Sequence, residues 1–306
     1  MASWSCAISP DAIAPTPIAG RAEVEDAIAR ICSEATSDVP EPVRSAVNYA
    51  LTGGGKRLRG MLLISAYRAA GGEDDASGLA AAVEIIHAYS LVHDDLPCMD
   101  DDDMRRGRPS THKAFGVPVA TTAGAAMIPL AASAAYRSAS ALRLPADACC
   151  TIVKVLMQGA GAGGMIGGQL LDLEGEGKDL SRDELDAIHA AKTGALIAAS
   201  VEIGGAAARI SKAGFDALGR YGNRIGLAFQ IMDDVLDVTS STDMLGKIAG
   251  RDAALNKSTY PALLGVEGAV ARANQLIDKA CDDLRCQNLL SPELEGLARF
   301  IVSRSH

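Results

Sequence analysis

Apolar residues recur at helical spacing along most of the chain. Val24, Ala27, Ile28 and Ile31 share one face, which predicts an amphipathic helix that stops near Pro40. A second helix is expected from near Pro42 to Thr52, where Gly53, Gly54 and Gly55 end it. Leu79 to His93 reads as a nearly all-apolar helix that carries Glu84 and His87. A helix of that kind is buried, and this one must end near Pro97. Ser181 and Glu184 form a capping box that opens a helix running through Lys192 and Thr193. Residues 261–306 read as helices with ordinary surface charge and no chemistry. Strand-like runs of Val, Ile, Thr and aromatics are scarce. The expected fold is all-α, with one helical domain over residues 21–306 behind a disordered lead-in at 1–20.

The uncharged run from Gly116 to Tyr136 is long enough to span a bilayer. It is mostly Ala, Thr, Ser and Gly and contains Pro118 and Pro129, so its transfer energy is weak. It is expected to be a buried helix, with no membrane span. The net charge of −9 disfavours nucleic acid and anionic membrane as partners. Seven cysteines without metal-ligand spacing or secretory context predict reduced thiols and a cytoplasmic protein.

The apolar helix ending at His93 runs directly into the densest charge in the chain. Asp94, Asp95, Asp100, Asp101, Asp102 and Asp103 fall within ten residues, and Arg105, Arg106 and Arg108 follow. Carboxylates at a helix C-terminus oppose its dipole by roughly 0.3–1 kcal/mol each. At a buried helix end they call for a cation, and a hard divalent ion takes oxygen ligands. The arginines suit a phosphate-type anion held by that cation.

A second acidic set lies far downstream. In a helix, Gln230, Asp233 and Asp237 line one face, with Asp234 beside them. Lys56, Arg57 and Arg59 follow the three glycines as a possible second anion site. A P-loop reading of that stretch fails, because Ala50 stands where its first Gly belongs and Arg57 replaces the Ser or Thr. Gly159, Gly161 and Gly164 match a dinucleotide fingerprint in form only, since no strand precedes them. The nearby Gly163, Gly164, Gly167 and Gly168 are read as close helix packing, followed by Gln169 and Asp172 on one helix face. No nucleophile with a paired base is visible, so covalent catalysis is not suggested. Stabilisation of a departing anion is.

The ordered motifs resemble the trans-isoprenyl diphosphate synthases. They are Gly54-Gly55-Lys56-Arg57-Leu58-Arg59, Glu84-x-x-His87, Asp94-Asp95-x-x-x-x-Asp100, Arg105-Arg106-Gly107, Lys192-Thr193-Gly194 and Gln230-x-x-Asp233-Asp234-x-x-Asp237. The resemblance implies a helical bundle around a deep central cavity, a homodimer, and isopentenyl diphosphate condensed with an allylic diphosphate. It implies Mg²⁺, three ions per site, on Asp94, Asp100, Asp233 and Asp237, supported by Asp95 and Asp234. Arg105, Lys192 and Lys257 would contact the allylic diphosphate, with Lys247 beside them. Lys56, Arg59, His87 and Arg106 would bind isopentenyl diphosphate, and Thr193 and Gln230 would sit near the carbocation.

In such enzymes, side chains below the first motif set product length. Tyr89 and Ser90 precede Asp94 by five and four residues, and five residues span roughly 7.5 Å of helix axis. An aromatic at that place implies farnesyl diphosphate. One departure pulls towards geranylgeranyl diphosphate: Ala125, in Ala123-Gly124-Ala125-Ala126-Met127, stands where the family usually has Asp. The rival readings are a class I terpene cyclase, which would have no use for the Lys56 cluster, and a silent partner subunit, which would usually lack one Asp motif.

Overall fold

The computed structural model describes residues 20–34, 36, 39–239 and 258–304. Residues 1–19 of the lead-in expected over 1–20, and both Lys247 and Lys257, lie outside the described residues. Thirteen α-helices dominate the described chain: α1 Arg21–Glu34, α2 Val43–Leu51, α3 Leu58–Ala69, α4 Ser77–Asp94, α5 Thr111–Phe115, α6 Val117–Ala141, α7 Ala146–Ala160, α8 Met165–Gly175, α9 Arg182–His189, α10 Ala195–Ala207, α11 Lys212–Thr239, α12 Tyr260–Arg285 and α13 Pro292–Ser303. A π-turn, Ala190–Gly194, joins α9 to α10. The fold is all-α, as the periodicity predicts. The first helix stops at Glu34, earlier than its expected end near Pro40.

Two apolar clusters make the core. One gathers α1, α2, α4, α6 and α7 around Leu79, Ile85, Ile86 and Met127. The other gathers α3, α10, α11, α12 and α13 around Leu62, Tyr221, Ile225 and Leu284. The six described cysteines are all free thiols.

Two local expectations need correction. A short hairpin was not foreseen: Met104–Arg105 (β1) pairs antiparallel with Arg108–Pro109 (β2). Its two turn residues, Arg106 and Gly107, both have positive φ, 54° and 76°, as a two-residue hairpin turn requires. The α6 helix is not buried all round. Ala120, Ala123, Gly124, Met127, Ala131 and Ala134 form its inward stripe. Its other side leaves Val117 42% and Tyr136 49% exposed. Small residues let one face pack closely on α4, while among the described residues Val117 and Tyr136 stay exposed on the opposite face.

Candidate active site

The first wall grows from the end of α4. Asp94 is its last residue and Asp95 its C-cap. The chain then folds back, and the Asp100 N–H donates to the Asp94 carbonyl at 2.8 Å. Asp95 is buried and accepts from Arg105 Nε at 2.9 Å. Arg105 also donates to Asp102 at 3.1 Å, so the hairpin turns one arginine back onto the acidic loop. The next arginine goes elsewhere. Arg106 donates to the Gly54 carbonyl and its Nη2 lies 3.5 Å from His87 Nε2. Burial pushes the His87 imidazole well below its usual range, and Arg59 and Arg106 push the same way. His87 therefore stands neutral among cations. Glu84, one turn earlier, is structural: it accepts the Gly60 N–H at 2.9 Å and faces Arg57 at 3.8 Å.

The second wall is the middle of α11. Gln230 accepts from Thr193 Oγ1 at 2.9 Å and donates to Asp234 at 3.4 Å. Asp234 is buried and accepts the backbone N–H of Tyr260 at 3.0 Å, which ties α11 to the start of α12. His189 Nε2 lies 3.4 Å from the same carboxylate. Asp237 is buried one turn further on. Asp233 pairs with Arg304 at 2.7 Å. Arg304 also donates to the Phe229 carbonyl at 2.6 Å and lies 3.8 Å over the Phe229 ring. The stretch after residue 260 thus reaches the site, contrary to expectation.

The π-turn supplies a third side. Wide turns of this kind re-aim side chains and are frequent at functional sites. Lys192 donates to Asp172 at 2.7 Å. A Cβ on Gly168 would run into the Lys192 backbone, so only glycine lets α8 approach this closely. Gln169 donates to Asp100 at 3.3 Å, joining α8 to the first wall, and its Oε1 is buried without a partner.

These walls enclose one cavity of about 420 Å³. Asp94, Asp100, Asp233, Asp234, Arg59, His87, Arg105, Lys192, Thr193 and Gln230 line it, with Tyr89 and Ser90. Lys56, Arg106, Asp95 and Asp237 are outside its lining. Lys56 is nonetheless close enough to feel both Arg304 and Asp233. Ala125 is exposed on α6 and off the lining, so its replacement of Asp does not deepen the cavity.

Both acidic walls thus open on one cavity. The polyprenyl synthetase model matches residues 40–290.

The chain belongs to the polyprenyl synthetase family.

It is a prenyltransferase. A farnesyl diphosphate synthase of Escherichia coli K12 is 44% identical over 269 residues, covering 86% of this chain and 90% of that one. A geranylgeranyl diphosphate synthase of Cyanophora paradoxa is 38% identical over 269 residues, covering 87% and 89%. The solved geranyltransferase of Helicobacter pylori, complexed with magnesium and isoprenyl diphosphate, superposes with a TM-score of 0.75 at 29% identity, covering 92% of this chain and 95% of that one.

This family uses magnesium, and the cavity suits a hard cation. Its donors are carboxylate and amide oxygens, and Gln169 Oε1 is an acceptor awaiting a partner. Loss of water pushes the Asp94 carboxyl up to about 7, opposed by Lys192 and reinforced by Asp100. A cation between the walls would relieve that. The described group that closes within 4.8 Å is a different one, Asp101, Asp103 and His112. It stands off the cavity, with both aspartates exposed.

Gln169, Asp172, His189 and Phe229 are among the lining residues not named as site residues from the sequence. The spacing of Gln169 and Asp172 on one helix face was the available signal. Arg304 had none, because only packing brings α13 to α11.

Proposed function

We propose that this chain condenses an allylic diphosphate with isopentenyl diphosphate and releases farnesyl diphosphate. The observation that supports this most is the single cavity shared by Asp94, Asp100 and Asp233, with Tyr89 lower on α4. In this reading Asp94, Asp100, Asp233 and Asp237 hold three magnesium ions, and Asp95 and Asp234 keep the two motifs in place. Bound magnesium supplies positive charge to the leaving diphosphate. Lys192 and Arg105, with Lys247 and Lys257, hold that diphosphate as its C–O bond breaks and the electron pair leaves with it. Lys56, Arg59, Arg106 and neutral His87 hold isopentenyl diphosphate, whose alkene attacks the allylic carbon. A proton then passes from the new carbon skeleton to an oxygen of the released diphosphate, which restores the double bond. Thr193 and Gln230 orient their oxygens beside the cation, and the apolar wall below excludes water from it.

Tyr89 is the side chain that favours fifteen carbons over the twenty of a geranylgeranyl product. It is 5% exposed on the α4 wall. A second copy of the chain is proposed to pack on the face of α6 that carries exposed Val117 and Tyr136. The test is chromatography of the dephosphorylated products made from geranyl and isopentenyl diphosphates with Mg²⁺. A fifteen-carbon alcohol supports the reading, and a twenty-carbon one replaces it. Turnover of farnesyl diphosphate without isopentenyl diphosphate would mark a cyclase instead. Light scattering at micromolar concentration tests the dimer.

A further inference from the structure

Two rings one helical turn apart line the cavity on α4, Tyr89 and His93. They meet edge to face, with centroids 4.9 Å apart and planes at 74°. The imidazole is held from its other side by α6. Its Nε2 lies 3.2 Å from the Thr121 carbonyl, which accepts the Nε2–H of that tautomer. Gly124 stands one turn further along α6, and a Cβ there would overlap the His93 ring. The ring is therefore clamped between the α6 backbone and the Tyr89 ring.

We infer that His93 is a positioning residue for product length: it braces the Tyr89 ring across the cavity, and Gly124 sets how far the imidazole can withdraw. This rests on the reading that Tyr89 stops growth at fifteen carbons. A tyrosine without a neighbouring ring regains side-chain freedom and blocks the shaft for less of the time. Shortening His93 should then lengthen the product, although His93 itself need not touch the growing chain. Adding a methyl group at Gly124 should act in the opposite sense. It pushes the imidazole towards Tyr89 and narrows the cavity from a position behind its wall.

The experiment compares product ratios per turnover for Tyr89→Ala, His93→Ala and Gly124→Ala, with geranyl and dimethylallyl diphosphates as allylic substrates. Circular dichroism checks that each variant is folded. Tyr89→Ala is expected to raise the ratio of twenty- to fifteen-carbon product by about tenfold, the scale on which one apolar contact discriminates. His93→Ala is expected to raise it by about threefold, the scale of one edge-to-face contact. Gly124→Ala is expected to increase the ten-carbon fraction. If Tyr89→Ala leaves product length unchanged, the underlying reading fails. If Tyr89→Ala lengthens the product while the other two keep the wild-type ratios, His93 has no such role. Should His93→Ala turn over too slowly to read, Gly124→Ala decides alone, since it lies outside the acidic motifs and the cavity lining.

Discussion

Asp94 stands at the last position of α4, whereas Asp233 stands inside α11. At the helix end, the carbonyls point towards the acid and raise its cost. Inside the helix, they are already paired and leave it alone. The two walls also find their cations differently. The first is served from nearby in sequence: Arg105 reaches Asp95 and Asp102 through a hairpin. The second is served from the far end of the chain, where Arg304 pairs with Asp233. One wall is thus a local construction, and the other depends on α12 and α13 docking beneath it. Equal chemistry across a cavity does not require equal architecture.

The largest effects should come from removing either wall's charge. Asp94→Asn and Asp233→Asn should each lower kcat by about 10²–10³ or more, the scale of losing one group that stabilises developing charge. Steady-state assays at saturating Mg²⁺ measure this, and a loss below about tenfold at either position would remove that wall from the chemistry. Chelation by EDTA should abolish turnover of the wild type, with recovery on adding Mg²⁺.

Gly168→Ala tests the third side, where α8 presses on the π-turn. The new methyl group must shift Lys192, and a displacement near 1 Å can cost about 10²-fold in rate. Unchanged kcat/KM with geranyl diphosphate would show that Lys192 does not need its present place.

The comparison of walls is sharpest in stability. Arg105→Met strands the buried Asp95 and should cost about 3–5 kcal/mol, as broken buried pairs do. Arg304→Met strands Asp233, which is 37% exposed, and should cost about 1–2 kcal/mol, mostly through lost hydrogen bonds. Urea melts of the metal-free protein decide this, and equal losses would erase the distinction drawn between a local and a remote support.

The smallest effect lies behind both walls. Burial pushes the Glu202 carboxyl up to about 7, with Asp216 adding and Lys212 opposing. The folded state therefore keeps a proton that the unfolded chain has already lost. Stability should fall as pH rises from about 4.5 to about 7 and change little from this group above that. Glu202→Gln should flatten that slope and add about 1 kcal/mol at pH 8, a value reduced for partial solvent screening. A slope that persists in the variant would assign it to other groups.

Much of this molecule was open to reading from local spacing. Apolar period predicts α1 and α4, because residues three and four apart share a helix face, and local start and stop signals place α2 between Pro42 and the glycines and open α9 at its capping box. The same rule places Gln230, Asp233 and Asp237 in a row, and the crowding of Asp94 to Asp103 demands a cation wherever it folds. Resemblance to a family then tied the two acidic sets together. Tertiary packing alone decided the rest. It brought Arg304 to Asp233, Gln169 to Asp100, and Thr121 and Gly124 to His93, and among the described residues it left Val117 and Tyr136 of α6 exposed. Contacts between helices remote in sequence depend on which surfaces dock and at what angle. No spacing within a single segment carries that information.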